Sequence, residues 1–236
     1  MMWTALLPVF LFPLGSVQSL SVTLKAYVHP LIFLFLGGFL LSIALQKWAL
    51  HQRFAIAVLR YFGPQPRRLL AGFMLATALL SMWISNTATT IMMLPIALSL
   101  LGENGRSSPF STNLMLAIAY AASIGGMASI IGTPPNTFVA SFLNDSLGLD
   151  VGFLQWMTIG LPCAAIMLVL AWIYMALFRV SGDTAMEPSI SESFRNTDGL
   201  PKLNRHQKTT LLVFICVASA WMLRPWLSDL EFAGFT

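Results

Sequence analysis

Two long apolar stretches of this chain are interrupted near the middle by polar residues. The first runs without a charge from Leu69 to Gly102 and contains Ser85-Asn86-Thr87. Its 34 residues exceed the about 20 that one membrane-spanning helix needs, and they fall short of the roughly 44 needed for two such helices and a turn. The length therefore predicts a re-entrant hairpin over residues 67–102, in which two short helices enter the membrane and leave on the same side.

The second interrupted stretch, from Thr112 to Leu143, is also uncharged. It contains Gly125-Gly126 and then Gly132-Thr133-Pro134-Pro135-Asn136. In a continuous helix, Pro135 would lack an N–H donor and would clash with the preceding turn. We therefore expect a broken helix over residues 112–143, followed by an uninterrupted spanning helix from Phe153 to Phe178.

The remaining apolar stretches flank these two. Trp3 to Val17 is short and contains two prolines, and the polar stretch Gln18 to His29 follows it. Pro30 to Gln46 predicts a spanning helix. Thr209 to Leu223 predicts the last spanning helix, which we expect to end at Arg224-Pro225. The whole pattern predicts an all-α polytopic membrane protein.

Residues 47–68 form a basic segment with helical periodicity. Gln46, Arg53 and Arg60 recur every seven residues, so they share one face of a helix. Apolar residues occupy the other face: Leu50, Phe54, Ala57, Val58 and Tyr61. This pattern predicts an amphipathic helix that lies on the membrane surface. A solvated connector is the alternative.

Composition and charge support a membrane protein and orient it. Hydrophobic residues make up 57% of the chain and charged residues 9%, whereas soluble domains carry about 25% charged residues. A re-entrant hairpin places the basic segments 47–68 and 179–208 on one side together with Arg106, and these contain eleven of the thirteen Lys and Arg residues. Because cytoplasmic loops are enriched in Lys and Arg, we expect both segments in the cytoplasm and a multi-pass protein of the inner, or plasma, membrane. The net charge of +4 thus describes topology and does not indicate nucleic-acid binding.

The centre of the hairpin has residue types that bind small ions. Ser81 and Ser85 are four residues apart, so their hydroxyls lie on one helical face, and with an Asn carbonyl they are oxygen donors for an alkali cation. Asn86 and Thr87 also have donors for a carboxylate, and a helix that begins near Thr87 points free N–H groups at the same place. Such half-helix ends are typical of ion-coupled secondary transporters. The alternative is that these side chains only cap the two helices.

The second break follows the same logic, since carbonyls near Gly132 lose their helical partners and can face an ion. A packing kink is the alternative.

Nothing indicates an enzyme, because the sequence has no phosphate-binding loop, no histidine-rich metal spacing and no convincing pair of nucleophile and base. We expect His51 at the surface, and we expect Cys163 and Cys216 to be buried and unpaired because both lie in apolar stretches.

Two motifs resemble those of the divalent anion:sodium symporter family. Residues 85–96, Ser-Asn-Thr-Ala-Thr-Thr-Ile-Met-Met-Leu-Pro-Ile, are similar to the family's first Ser-Asn-Thr motif. Ile124-Gly125-Gly126, followed by Ile130-Ile131-Gly132-Thr133-Pro134-Pro135-Asn136, is similar to its next motif. The order and separation of the motifs also agree with the family, as does the basic amphipathic helix before the hairpin. The resemblance therefore extends over nearly the whole chain.

The resemblance implies the first inverted repeat of a homodimeric elevator-type carrier, in which a transport domain slides against a fixed scaffold. It implies sodium-coupled transport of di- and tricarboxylates such as succinate or citrate. By matching positions, it assigns a sodium site to Ser81, Ser85, Asn86 and the Gly132 carbonyl, and substrate contacts to Asn86, Thr87, Thr133 and Pro134. The alternatives are a sulfate symporter, a sodium-independent dicarboxylate exchanger and a non-transporting membrane fragment.

On this basis the chain divides into four parts. Residues 1–66 are expected to form scaffold helices and the cytoplasmic amphipathic helix, and residues 67–180 to form part of the transport domain. A cytoplasmic loop at 181–208 and a scaffold helix at 209–236 complete the chain. The sequence contains no second Ser-Asn-Thr motif, although the family needs one for its other sodium site, so we expect about half of a carrier.

Overall fold

A computed structural model describes residues 2–28, 30–105, 108–178 and 202–229. Within these residues the chain forms ten α-helices and no β-strand, which confirms the all-α prediction. The helices are α1 (Met2–Leu14), α2 (Leu20–Tyr27), α3 (Pro30–Lys47), α4 (Leu50–Phe62), α5 (Pro66–Ser81), α6 (Asn86–Gly105), α7 (Pro109–Gly126), α8 (Pro134–Leu147), α9 (Phe153–Phe178) and α10 (Arg205–Asp229). Most of the expected loop at 181–208, and the end of the chain from residue 230, lie outside the described residues.

Both predicted interruptions are helix breaks in the structure. The helix α5 ends at Ser81 and α6 begins at Asn86, so the first break lies at residues 82–85. The helix α7 ends at Gly126 and α8 begins at Pro134. Two consecutive prolines fit the start of α8 because the first turn of a helix needs no backbone N–H donor. The helix α9 has the predicted bounds.

Two elements differ from their prediction. The polar stretch after α1 forms a helix, α2, which its composition did not indicate. The last helix begins four residues earlier than expected because Asn204 caps it, with Asn204 Oδ1 accepting the Gln207 N–H at 2.7 Å. It also continues through Pro225 to Asp229, so the predicted end at Pro225 is wrong. A proline removes one backbone hydrogen bond, and the rest of a 25-residue helix is sufficient to continue past it.

One helix in the described part of the chain is long and apolar enough to cross a membrane, over Phe153–Leu177 of α9. The helices α3 and α4 would meet the same criterion together, but they bend by 72°. We call the bend at residues 48–49 the elbow. Ala49 adopts the left-handed conformation there, with φ of 51°. The apolar helices Trp3–Leu14 and Asn86–Leu101 are shorter than a full span.

The pairing of α5 with α7 forms the centre of the fold. The two backbones touch at Gly125, where a Cβ atom would lie 2.3 Å from the Ala78 carbonyl oxygen, so only glycine fits. Burying one large apolar side chain stabilises a fold by about 1.5–3 kcal/mol. Several such side chains are fully buried in the same core: Leu70, Phe73 and Met74 from α5, and Leu114 and Ile118 from α7. This pair therefore provides the rigid frame on which both breaks are held.

The helix α4 is the predicted amphipathic helix, but it is rotated relative to the expected face. Ala55 and Leu59 are buried, and Leu59 lies against Gly72 of α5. Tyr61 and Phe54, which were expected on the apolar face, are 88% and 39% exposed. One edge of the apolar face therefore packs on α5, and the other edge stays exposed, because α5 covers only part of a wide apolar surface.

Three further side chains correct the sequence predictions. His51 is buried and not at the surface, and its Nδ1 lies 3.4 Å from the Leu45 carbonyl. Burial lowers the pKa of His51, and the contact with that carbonyl opposes the shift in part. Cys163 and Cys216 are unpaired, as expected, but they are exposed because they lie on the outward faces of α9 and α10.

Candidate functional site

The hydroxyl of Ser81, at the end of α5, is fully buried and faces two oxygen acceptors. It lies 2.8 Å from Asn86 Oδ1 and 2.7 Å from the Ala122 carbonyl oxygen. A hydroxyl has a single proton to donate, so it cannot give both acceptors a full hydrogen bond at once. Hard cations bind oxygen ligands of this kind. Three oxygens that share one proton in a buried place are therefore suited to a small cation.

Glycines bring the two helix breaks into direct contact. A Cβ atom at Gly126 would lie 2.2 Å from Asn86 Oδ1, and one at Gly132 would lie 2.4 Å from the Gly126 carbonyl oxygen. Larger side chains at these positions would push the breaks apart. We call this contact, made by Ser81, Asn86, Gly126 and Gly132, the break junction. It unites three of the residues predicted for the sodium site.

Two buried polar side chains join the breaks further. The Ser129 hydroxyl donates to the Met82 carbonyl in the first break, and it accepts the Gly132 N–H at 3.1 Å. The Nδ2 atom of Asn136 donates to the carbonyls of Gly126 and Ser129, each at 2.8 Å. Backbone groups that leave a helix inside a membrane must find partners within the protein. These two side chains provide such partners.

Four helix ends meet at the break junction. The helices α5 and α7 end there, and their last carbonyls carry the negative end of the helix dipole. The helices α6 and α8 begin there, and the positive ends of their dipoles favour an anion, although α8 starts with Pro134-Pro135 and so lacks its first two N–H donors. The junction can therefore bind a cation beside the ends of α5 and α7, and an anion beside the starts of α6 and α8, without a charged side chain.

The other predicted site residues lie around the junction. Ser85 precedes α6, and its hydroxyl accepts the Ala88 N–H at 3.4 Å, which is a weak helix cap. The side chain of Thr87 is exposed in the first turn of α6. Thr133 is the N-cap residue of α8 and makes no capping bond with its side chain, and Pro134 after it is exposed. The side chains of Thr87, Thr133 and Pro134 are therefore available to a ligand at the starts of α6 and α8. The contact of Ser85 fits in part the alternative in which these side chains only cap helices.

Several contributors were not assigned to the site from the sequence. The Ala122 carbonyl could not be identified, because every residue has a carbonyl. Gly126 and Asn136 belong to the motifs described above, so a signal existed for both. Thr89, three residues after Asn86, is fully buried, and its hydroxyl has no hydrogen-bond partner in the described part of the chain. Such a hydroxyl is a further candidate ligand for an ion or a water molecule.

Known proteins resemble this chain over nearly its whole length. A family model described as citrate transporter matches residues 1–234. The sodium-dependent dicarboxylate transporter SdcS of Staphylococcus saprophyticus is 37% identical over 235 residues, which cover 95% of this chain and 45% of the relative. The transporter of the same name from Staphylococcus aureus strain USA300 is 34% identical with the same coverage. The chain thus spans about half the length of the curated relatives it matches.

Proposed function

This chain belongs to the citrate transporter family, and from that premise we propose that it forms part of a sodium-coupled carrier of di- and tricarboxylates. The two relatives named above are sodium-dependent dicarboxylate transporters. In this proposal the chain supplies one sodium site and one side of the substrate site. The observation that carries it is the contact of Ser81 with Asn86 and Ala122 at the break junction.

Sodium is proposed to bind among oxygens from both breaks: those of Ser81, Ser85, Asn86 and the backbone carbonyl of Gly132. All of these ligands are neutral oxygens, the type that a hard cation prefers. A transported ion has to leave its site in every cycle, so binding must be favourable but not too strong. Neutral ligands meet that requirement better than a cage of carboxylates. The partly buried contact between Ser81 and Asn86 supports this ligand set.

The dicarboxylate is proposed to bind next to the sodium ion, at the starts of α6 and α8. Asn86 and Thr87 have side-chain donors for one carboxylate, and Thr133 and Pro134 line the same place. The positive ends of two helix dipoles favour an anion there. A sodium ion beside the carboxylate offsets its charge, so each ligand raises the affinity for the other by the same factor. That reciprocal effect provides the coupling between sodium and substrate.

The topology we propose follows from the charge pattern and the helix lengths. The helices α5 and α6 form a re-entrant hairpin, α7 and α8 form a broken helix, and α9 spans the membrane. The helix α4 and the segment 179–208 lie on the cytoplasmic side. The carrier works as an elevator-type homodimer in the plasma membrane, and α5–α9 belong to the moving domain. The close backbone contact of α5 with α7 supports movement of these two helices as one body.

The sodium site is tested by removing its buried hydroxyl. In cells that express the carrier, Ser81→Ala should raise the sodium concentration for half-maximal succinate uptake by roughly tenfold, because one ligand is lost. Asn86→Ala should abolish uptake, since it removes a ligand of both the ion and the substrate. Ser123→Ala is the matched control, because the Ser123 hydroxyl is exposed on α7 and bonds the Ala119 carbonyl at 3.2 Å.

Unchanged uptake in Asn86→Ala would refute the site. Uptake that persists with choline in place of sodium would indicate a sodium-independent exchanger, and uptake of sulfate in place of succinate would indicate a sulfate symporter. If neither anion is taken up, sodium titration of the tryptophan fluorescence of the purified chain tests the site by itself. Trp83 lies within the first break, so its emission should respond to sodium and not to potassium.

A further inference from the structure

A cavity of about 580 Å³ lies between the start of α4, the end of α5 and the start of α10. None of the proposed sodium or substrate ligands lines it, so it is separate from the site described above. Its volume falls within the range of about 300–1,000 Å³ that is usual for ligand pockets. Apolar side chains form most of its wall, among them Leu45, Phe54, Ala57, Leu80, Leu211 and Phe214.

Two basic residues of α4, His51 and Arg53, line this cavity. The Arg53 guanidinium donates from Nη1 to Gln207 Oε1 at 2.9 Å. This partner is neutral, so it does not offset the positive charge of Arg53. A guanidinium has five N–H donors, and the remaining ones suit a phosphate group, which arginine binds through two parallel hydrogen bonds.

A second cationic side chain, that of Lys47, lies at the elbow. Gln207 donates from Nε2 to the Trp48 carbonyl at 3.0 Å, which holds the start of α10 at the elbow. The His206 ring stacks on the Trp48 ring with centroids 4.4 Å apart, and Lys47 Nζ lies 5.8 Å from the Trp48 ring centroid. The cavity thus has apolar walls and a basic end. That distribution complements an amphiphile with an anionic headgroup.

The transported anion does not suit this cavity. A dicarboxylate needs polar partners at both ends, whereas the walls away from His51 and Arg53 are apolar. Burying an unpaired carboxylate there would be costly. An acyl chain, by contrast, gains free energy with every methylene group that it buries. The exposed edge of α4, which includes Phe54 and Ala57, gives such a chain a route from the bilayer into the cavity.

We propose that this cavity holds one acyl chain of an anionic phospholipid whose phosphate binds Arg53. The lipid would contact α4, α5 and α10 together, since all three contribute to the cavity wall. Leu80 and Ile84 line the cavity and lie directly before and three residues after Ser81. A bound lipid would therefore stabilise the end of α5, which carries the proposed sodium ligand Ser81. The proposal requires only that the chain lies in a membrane, so it does not depend on the transported substrate.

Thermal unfolding of the purified chain in detergent provides the test, with dioleoyl phosphatidylglycerol compared to dioleoyl phosphatidylcholine. We expect phosphatidylglycerol to raise the unfolding temperature more strongly. Arg53→Gln should raise the phosphatidylglycerol concentration for half-maximal stabilisation by roughly tenfold. It should also remove the preference for phosphatidylglycerol over phosphatidylcholine. Arg60→Gln is the matched control, because it removes the same charge from the same helix at a position outside the cavity wall. Ala57→Trp keeps every charge but fills the cavity, and should abolish stabilisation by the lipid.

A second measurement uses the unaltered chain and so does not depend on the folding of any variant. Phosphatidylglycerol with a photoreactive group in one acyl chain should label peptides that contain residues 50–57 and 79–84. Glycerol phosphate should not compete, because it lacks the chain. Equal stabilisation by the two lipids, equal effects of Arg53→Gln and Arg60→Gln, or undiminished binding to Ala57→Trp would overturn the proposal. Labelling confined to other peptides would also overturn it, and would indicate that protein covers the cavity.

Discussion

A buried hydroxyl that faces two acceptors has only one proton to donate. A nearby cation can be the partner of the acceptor that receives no proton. Ser81 is in that position between Asn86 Oδ1 and the Ala122 carbonyl. Because one proton serves two acceptors, a bound sodium ion could contact both oxygens at once. The affinity of the site for sodium would then come in part from an arrangement that one proton cannot fully satisfy.

Gly126 provides a test of this geometry at a residue that is not itself a proposed ligand. A Cβ atom there would lie 2.2 Å from Asn86 Oδ1, so Gly126→Ala should displace the Asn86 side chain from Ser81. Overpacking of this kind costs about 1–3 kcal/mol, and we expect roughly tenfold weaker sodium binding in a fluorescence titration.

Gly37→Ala is the matched control, because a Cβ atom at Gly37 has only an ordinary contact, 3.4 Å from the Trp221 ring. Sodium binding should therefore be unchanged in that variant. Equal sodium affinity in Gly126→Ala and the unaltered chain would contradict the proposed role of the break junction.

Single residues also show what could be predicted from the sequence. Ser81, Asn86 and Gly132 lie together at the break junction, and the sequence offered them as candidates because a break in a membrane helix needs polar side chains or glycine. The partner carbonyl of Ala122 could not be predicted, since its place depends on how α7 packs against α5. His51 was placed at the surface for a similar reason, because the face that α4 buries is decided by its neighbour.

At the scale of helices, the Pro134-Pro135 pair indicated the second break, but the Asn204 cap that starts α10 was not recognised. Pro134 at the start of α8 marks that boundary as its chemistry requires. The expected end of α10 at Pro225 was wrong, because a long helix can continue past one proline. A spanning helix followed by a surface helix implies a bend between α3 and α4, but its conformation was not predicted. It depends on Ala49 in a left-handed conformation, which nothing in the side chain of alanine indicates.

The buried His51 at the start of α4 makes stability depend on pH. Burial lowers the pKa of His51 below its usual value of about 6.5, so the unfolded chain binds more protons than the folded chain between these two pKa values. Stability is therefore greatest above about pH 6.5 and falls as the pH drops below that value. His51→Gln should flatten this slope in thermal unfolding curves recorded from pH 8 to pH 5.

His206→Gln serves as the control for that experiment. The His206 side chain is exposed and stacks on Trp48, so its replacement should leave the pH dependence largely as it is. The slope is the relevant quantity, because His51→Gln also changes packing and so shifts stability at every pH. If the slope is the same with and without His51, the buried imidazole does not control the pH dependence.

For the molecule as a whole, the proposed topology can be tested by cysteine labelling, with Cys163 studied in a background that carries Cys216→Ser and each introduced cysteine in a background that also carries Cys163→Ser. Cys163 is exposed on α9 within the helix that meets the criterion for a span. A charged reagent does not enter the hydrocarbon core of a bilayer, so a charged maleimide should not label Cys163 in intact cells. Asp150→Cys should be labelled from outside, and Lys202→Cys only after permeabilisation. Labelling of both introduced cysteines in intact cells would refute the topology.

The order and approximate bounds of the helices could be predicted from the sequence only in part. Length and charge indicate where helices lie and which segments share a side, because both follow from the thickness of the bilayer and from the Lys and Arg distribution. They do not indicate which helices touch. The cavity between α4, α5 and α10 arises from contacts between segments far apart in sequence, and no pattern within any one segment predicts it.

The hydrogen bond from Ser129 to the Met82 carbonyl joins residues 47 positions apart, and this distance has a consequence for how the chain is made. Synthesis proceeds at about 5–20 residues per second, so the first break exists for several seconds before its partner emerges. During that interval the Met82 carbonyl and the Ser81 hydroxyl have no second break to meet. The hairpin therefore acquires its final form only when the glycine-rich end of α7 and Ser129 have followed it out of the ribosome.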